Sequence, residues 1–249
     1  MEKYHNYIAV AINVSFLILL QEFSYPRPVF RFLIPIFFLF AAIISLYHYW
    51  YLRKIEKFNL WTLIRPVLYY ASAFSLFIII TPDFLKGLFL ISAVALGFVF
   101  EIFMGKFAEN VVLNETLLVA FGMFMSVFAY ALYYAPAFLT WYLAIIFVGS
   151  FLSIRSLYEF IPNINGSRLT ASVAIALFMT QIFWTLTFLP LHYSADAIIL
   201  FNAFYFCVIL NYYYAFNNLN TRKFQLHFFI FMGINIFILV VTPWKILLS

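Results

Sequence analysis

Residues 169–195 read LTASVAIALFMTQIFWTLTFLPLHYSA, and none of these 27 residues is Asp, Glu, Lys or Arg. A helix needs about 20 apolar residues to cross a hydrocarbon core of about 30 Å, so this stretch is long enough to span a bilayer. Comparable uncharged stretches recur along the chain, which is 67% hydrophobic and only 9% charged. Soluble domains average about 25% charged residues. The sequence therefore predicts a protein that crosses a membrane several times.

The uncharged stretches predict an all-α fold, a polytopic transmembrane helix bundle of nine spans that forms one integral membrane domain over residues 1–249. The 39 uncharged residues from Thr116 to Ile154 count as two spans because Ala135-Pro136-Ala137 interrupts them. The count falls to eight if the first stretch is not a span. The predicted spans cover approximately residues 7–20, 31–52, 61–81, 84–103, 111–134, 138–158, 169–189, 195–216 and 224–241.

The first span has one competing interpretation. Lys3 precedes an apolar run, as in a secretory signal peptide, but no small-residue cleavage site follows Leu20. We therefore expect a retained helix.

Lys and Arg are unequally divided between the two predicted sides of the membrane. Of the 14 basic residues, the larger group falls on the side that carries the N-terminus. The positive-inside rule places that side in the cytoplasm, which predicts a multi-pass protein of the cytoplasmic membrane with its C-terminus outside. The larger group consists of Lys3, Arg53, Lys54, Lys57, Arg65, Lys106, Arg155, Arg168, Arg222 and Lys223.

Several charged residues lie near the predicted cytoplasmic ends of the third to sixth spans. A charge at mid-helix costs about 2.5–3.5 kcal/mol on insertion scales, so these residues require an explanation. One hypothesis is a cavity that binds a cation or a phosphate-bearing headgroup; the alternative is a set of interfacial anchors and local ion pairs. Arg155 and Glu159 are four residues apart and can pair on one helix face. The candidate binding residues are Arg65, Glu101, Glu109, Glu115 and Arg155.

Uncharged polar and small residues inside the spans indicate packing between helices. Amides are expected to form interhelical hydrogen bonds, although a polar substrate path is an alternative. These amides are Asn13, Gln181, Asn202 and Asn235. Small residues four apart allow helices to approach closely. Such pairs are Ala93/Gly97, Gly122/Ser126 and Ser172/Ala176.

No motif in the chain specifies a chemistry. It has no H-E-x-x-H, no G-x-S-x-G and no glycine-rich phosphate loop, so catalytic residues stay unknown. Asp83, His192 and Asp196 lack the spacing of a metal site, and Cys207 is the only cysteine. We therefore expect neither a metal nor another cofactor. The net charge of +5 is scattered over the loops, so no nucleic-acid partner is expected.

The last part of the chain resembles an uncharacterised family of multi-span bacterial membrane proteins. The resemblance covers roughly 60 residues and departs from the family at Pro243 and Lys245. It implies a bacterial origin and no particular activity. Its motifs are Pro190-Leu191-His192, Thr221-Arg222-Lys223 and Thr242-Pro243-Trp244-Lys245.

Three functional hypotheses remain open at this point. The first is a non-enzymatic component that binds lipid or a membrane protein partner through its helices, because few polar groups lie at mid-membrane. The second is a small transporter or lipid-handling protein that uses the cytoplasmic Glu/Arg residues. The third is an intramembrane enzyme acting on lipid-linked substrates, with Glu109 or Glu115 as base.

Overall fold

The computed structural model describes residues 2–23, 30–54, 60–104, 109–134, 138–159, 168–215 and 219–242. These ranges form nine α-helices, which confirms the all-α fold. A π-helical turn, Tyr130–Tyr134, continues the fifth helix. The helices are α1 (Glu2–Phe23), α2 (Phe30–Lys54), α3 (Leu60–Ile79), α4 (Asp83–Met104), α5 (Glu109–Ala129), α6 (Leu139–Leu157), α7 (Arg168–Leu186), α8 (Tyr193–Ala215) and α9 (Thr221–Val241).

Eight of the described helices are long and apolar enough to cross a membrane, as expected for a multi-pass membrane protein. Helices of 19 to 25 residues are about 28–38 Å long, which matches the hydrocarbon thickness. The first helix is among the eight, with an apolar stretch over Tyr4–Gln21. The helix that falls short is α3, whose described apolar stretch is Leu63–Ile79. The sequence had instead allowed for eight spans if the first stretch did not cross the membrane.

Prolines explain two local features of the helices. Pro35 and Pro66 lie inside α2 and α3, where each removes one backbone N–H donor from the helical ladder. The helix α7 ends at Leu186, three residues earlier than predicted. A residue that precedes a proline disfavours the α conformation. Leu189 precedes Pro190 and lies outside the helix. Its backbone N–H donates to the Leu186 carbonyl at 2.9 Å.

The helices group into two compact units, Met1–Glu115 and Thr116–Ser249. We refer to them as unit 1 and unit 2. A single domain over residues 1–249 stays a prediction.

In unit 1, α1 packs against α3 and α4, and α3 packs against α2 and α4. The apolar core is largely aromatic: Phe16 is fully buried, and its ring centroid lies 4.8 Å from that of Tyr70. The predicted small pair Ala93/Gly97 faces this core. The Tyr69 hydroxyl donates to the Ala93 carbonyl at 2.5 Å, and a Cβ atom at Gly97 would lie 3.1 Å from the Tyr69 ring. The pair therefore permits the close packing that the sequence predicted.

In unit 2, consecutive helices pack in pairs: α6 with α7, α7 with α8, and α8 with α9. Ser172 and Ala176 are both fully buried, as expected for a small-residue packing face. The Asn202 amide donates to the Phe231 carbonyl at 3.0 Å and thereby joins α8 to α9, which confirms the expected interhelical bond. Gln181, by contrast, is exposed.

Candidate functional site

Buried ionisable side chains gather at one end of the helices in unit 1. They lie near the starts of α1, α3 and α5 and near the ends of α2 and α4. These ends share one membrane face because consecutive spanning helices run in opposite directions. At 1.5 Å per residue, each side chain begins roughly 4–9 Å inside its helix end. The five residues, each at most 4% exposed, are His5, His48, Arg65, Glu101 and Glu115; we call them the unit 1 cluster.

Arg65 and Glu115 form a buried ion pair. The Nη2 atom of Arg65 donates to Oε2 of Glu115, and this contact ties the start of α3 to the start of α5. Removing two charges from water costs several kcal/mol for each ion, and only their mutual attraction and hydrogen bonding offset that cost. Each partner therefore depends on the other to remain inside the unit.

Glu101 is the centre of a second group of contacts. His48 Nε2 lies 2.6 Å from Glu101 Oε2, a distance typical of a strong, charge-assisted hydrogen bond. The Tyr70 hydroxyl lies 3.2 Å from the other carboxyl oxygen, Oε1. Side chains of α2 and α3 thus approach both oxygens of one carboxyl group on α4.

His5 extends this group to α1. Its Nε2 atom lies 2.9 Å from the backbone carbonyl of Glu101. A carbonyl oxygen only accepts, so this nitrogen carries the hydrogen. The other ring nitrogen lies 2.5 Å from the Tyr47 hydroxyl, and the imidazole stacks on Tyr51 with ring centroids 3.9 Å apart. The orientation of His5 is therefore defined on three sides.

A small cavity, with room for about one water-sized molecule, adjoins both groups of contacts. Three charged side chains of the cluster reach its wall, and the rest of the lining is aromatic or small. Its wall is formed by Arg65, Pro66, Tyr69, Tyr70, Gly97, Phe100, Glu101 and Glu115. We call it the unit 1 cavity.

The five candidate residues from the sequence do not all belong to one site. Arg65, Glu101 and Glu115 come together on the unit 1 cavity. Arg155 belongs to unit 2, where it donates to Glu159 four residues later, as the spacing predicted. Glu159 also lies 3.6 Å from Arg168. Glu109 begins α5, but its side chain lies outside the described part of the chain.

The two histidines of the cluster are residues that sequence reasoning missed. His48 lies within Tyr47-His48-Tyr49-Trp50-Tyr51, a pattern that resembles an interfacial aromatic belt. The structure divides this stretch: Trp50 is 59% exposed, whereas His48 is fully buried. The available signal was the presence of a titratable ring inside a predicted span, which by default suggests a functional site.

The arrangement can bind a small polar species and exchange protons. Carboxyl, phenol and guanidinium groups line one small space, the His48 imidazole lies next to one of the carboxyl groups, and all of these side chains are buried. Among the described residues, no group of three His, Cys, Asp or Glu side chains is placed to hold a metal ion. Asp196 lies buried in the first turn of α8, the position expected from the helix dipole.

Comparison with protein-family models, with curated proteins and with solved structures gave no match to this chain. The resemblance of its C-terminal part to a bacterial membrane protein family stays a prediction. The features that bear on function are therefore the multi-pass helical fold and the geometry of the unit 1 cluster.

Proposed function

We propose that this integral membrane protein is a small transporter that moves a polar or ionic species through the unit 1 cavity. The supporting observation is that Arg65, Glu101 and Glu115 line this one cavity while each is at most 4% exposed. Ionisable groups inside spanning helices are costly and typically mark substrate or ion pathways.

The main alternative for these charges is interfacial anchoring, and their burial argues against it. An anchoring side chain extends toward the headgroups and remains exposed on the protein surface. Arg65 and Glu115 instead turn toward neighbouring helices, and Glu101 is contacted by His48 and Tyr70. These charged side chains therefore make their contacts inside unit 1.

Reconstitution into liposomes tests the proposal. Two probes are used in parallel: a pH-sensitive dye inside the vesicles for ion movement, and a fluorescent phospholipid for headgroup translocation. Wild type is expected to make ion movement or phospholipid translocation faster than in vesicles without protein. Glu101→Gln is expected to abolish this increase. A response of the phospholipid alone would identify lipid handling by the same site.

The matched control is Glu159→Gln, which removes a carboxylate that belongs to unit 2. This variant is expected to retain the wild-type rate. Equal rates for wild type and Glu101→Gln, with both proteins folded, would contradict the proposal.

A second candidate, a non-enzymatic component that binds lipid or a membrane protein partner, is favoured by α9. This helix packs against α8, yet none of its described residues is buried. Its exposed side chains are mostly apolar, including Phe229 at 70% and Val240 at 76%. Photocrosslinking from Phe229 in native membranes would give a discrete protein adduct if a partner binds there and lipid adducts otherwise.

The hypothesis of an intramembrane enzyme has less support. Its general base would have to accept a proton from the substrate, and Glu115 already accepts a hydrogen bond from Arg65. The side chain of Glu109 lies outside the described residues.

We also propose that the protein resides in the cytoplasmic membrane of a bacterium with the N-terminus inside. This orientation follows from the distribution of Lys and Arg. It would place the helix ends that carry the unit 1 cluster at the cytoplasmic face.

A further inference from the structure

From the hydrogen-bond geometry around Glu101 we infer that the His48–Glu101–Tyr70 group is a binding site for one proton. The proton is carried on Oε1 of Glu101 and is donated to the oxygen of Tyr70. This assignment concerns proton binding by the protein itself and does not require the proposed transport.

The amide of Asn13 directs its oxygen toward Tyr70. Its Nδ2 atom donates to the Ala9 carbonyl at 2.9 Å, so its Oδ1 atom is the one that faces Tyr70 at 3.3 Å. An amide oxygen only accepts hydrogen bonds. Tyr70 must therefore be the donor in this contact.

The Tyr70 hydroxyl lies between two possible acceptors. A phenol has one hydrogen to donate, yet its oxygen lies 3.3 Å from Asn13 Oδ1 and 3.2 Å from Glu101 Oε1. With Glu101 ionised, two buried acceptors compete for that hydrogen and one is left poorly satisfied. With a proton on Oε1, Glu101 donates to Tyr70 and Tyr70 donates to Asn13. One added proton thus completes the chain of hydrogen bonds.

The ring of His48 does not carry this proton. Its Nε2 atom lies 2.6 Å from Glu101 Oε2, and the neutral tautomer with its hydrogen on Nε2 donates to that oxygen. Its Nδ1 atom is buried and has no hydrogen-bond partner among the described residues. A proton on Nδ1 would create a buried donor without an acceptor, which costs about 1–3 kcal/mol or more for a charged group. The neutral ring avoids this cost.

The charges that face the site from the neighbouring helices agree with the assignment. The starts of α3 and α5 contribute Arg65 and Glu115, which offset each other. The helix α1 contributes His5, and α2 contributes the Tyr47 hydroxyl bonded to it. With both histidines neutral, the carboxyl group of Glu101 is the one formal charge that is not balanced in the cluster. A bound proton brings the formal charge of the cluster to zero.

Infrared difference spectroscopy of the purified full chain, between acidic and alkaline buffer, tests the inference. A protonated carboxyl group has a C=O stretching band that an ionised one lacks. Wild type, with nine Asp and Glu side chains, is expected to show a composite band, and Glu101→Gln is expected to lose the component that belongs to Glu101. Tyr70→Phe, which removes only an oxygen atom, is expected to shift the band because the carboxyl O–H loses its acceptor.

Glu159→Gln is the control and is expected to leave this band at its wild-type position. An unshifted band in folded Tyr70→Phe, or a band in folded Glu101→Gln that has lost no component relative to wild type, would overturn the inference. If Glu101→Gln does not fold, the shift in Tyr70→Phe decides alone. No step of this measurement depends on transport, so failure of the liposome assay would leave its result intact.

Discussion

The Nε2 atom of His48 lies 2.6 Å from Oε2 of Glu101, and both side chains are at most 3% exposed. This contact joins the end of α2 to the end of α4 through two residues that are 53 positions apart in the sequence. The same carboxyl group also receives Tyr70 from α3, and its backbone carbonyl receives His5 from α1. One residue therefore connects four helices of unit 1, which makes Glu101 the position where a substitution should affect both structure and activity.

Breaking the Arg65–Glu115 pair is expected to destabilise unit 1 strongly. Either Arg65→Met or Glu115→Leu leaves one buried charge without its counterion, at a cost of about 3–5 kcal/mol. The double variant should lose less stability than either single variant, because it removes both desolvation costs. Unfolding of the purified protein in detergent measures all three. Additive losses in the double variant would show that the two side chains do not interact.

The half-buried pair Arg155–Glu159 provides a comparison for this experiment. Arg155 lies in the last turn of α6 and Glu159 lies two residues beyond its end, with side-chain exposures of 16% and 14%. Pairs of this kind contribute about 0.3–0.5 kcal/mol. We expect Arg155→Met to shift the unfolding transition far less than Arg65→Met does.

Adding a methyl group at Gly97 is expected to disturb the packing of α1 and α3 on α4. The new Cβ atom would overlap Asn13 Oδ1 and lie 3.1 Å from the Tyr69 ring. Asn13 cannot easily move, because Ala9 and Tyr70 hold its amide. Overpacking of this kind costs about 1–3 kcal/mol, measured by unfolding of Gly97→Ala in detergent.

Gly87 is the matched control for this substitution because it lies in the same helix with open space around it. A Cβ atom there has no neighbour within 4 Å. Gly87→Ala should be neutral or slightly stabilising, since Ala favours a helix by about 1 kcal/mol relative to Gly. Equal destabilisation by both substitutions would argue against close packing at Gly97.

Replacing Asn202 by Ala is expected to loosen α9 from α8. Its amide donates to the Phe231 carbonyl across the helix pair, and such bonds contribute about 0.6 kcal/mol on average within membranes. Hydrogen exchange of α9 should accelerate modestly in this variant. Asn211→Ala is the control, because Asn211 donates to Cys207 within its own helix. A similar acceleration in both variants would contradict the proposed role of Asn202.

The orientation of the protein can be tested with single cysteines. In a Cys207→Ala background, Thr81→Cys lies between α3 and α4, and Leu219→Cys lies between α8 and α9. Both positions are exposed in the structure. A membrane-impermeant maleimide added to intact cells should label position 81 and spare position 219. The reverse pattern would overturn the predicted orientation, and labelling at both positions would challenge the number of spans.

The fold class and the helix positions followed from the sequence because the bilayer imposes a local rule. Each spanning segment must satisfy its own backbone hydrogen bonds and present apolar side chains, so a single stretch carries the information for its own helix. Predicted boundaries such as residues 111–134 agree with α5 and its π-helical turn. The Arg155–Glu159 pair was predictable for the same reason, because four residues in one helix define a shared face.

The composition of the unit 1 cluster was decided by tertiary structure alone. Arg65, Glu101 and Glu115 were identifiable as costly charges, but their meeting on one cavity depends on the rotation of each helix about its own axis. Within a hydrophobic span, the sequence periodicity that would define this rotation is weak, because both lipid and protein neighbours accept apolar side chains. His48 shows the consequence: Tyr49 and Trp50 directly after it are exposed, and only the packing of α2 against the other helices places His48 next to Glu101.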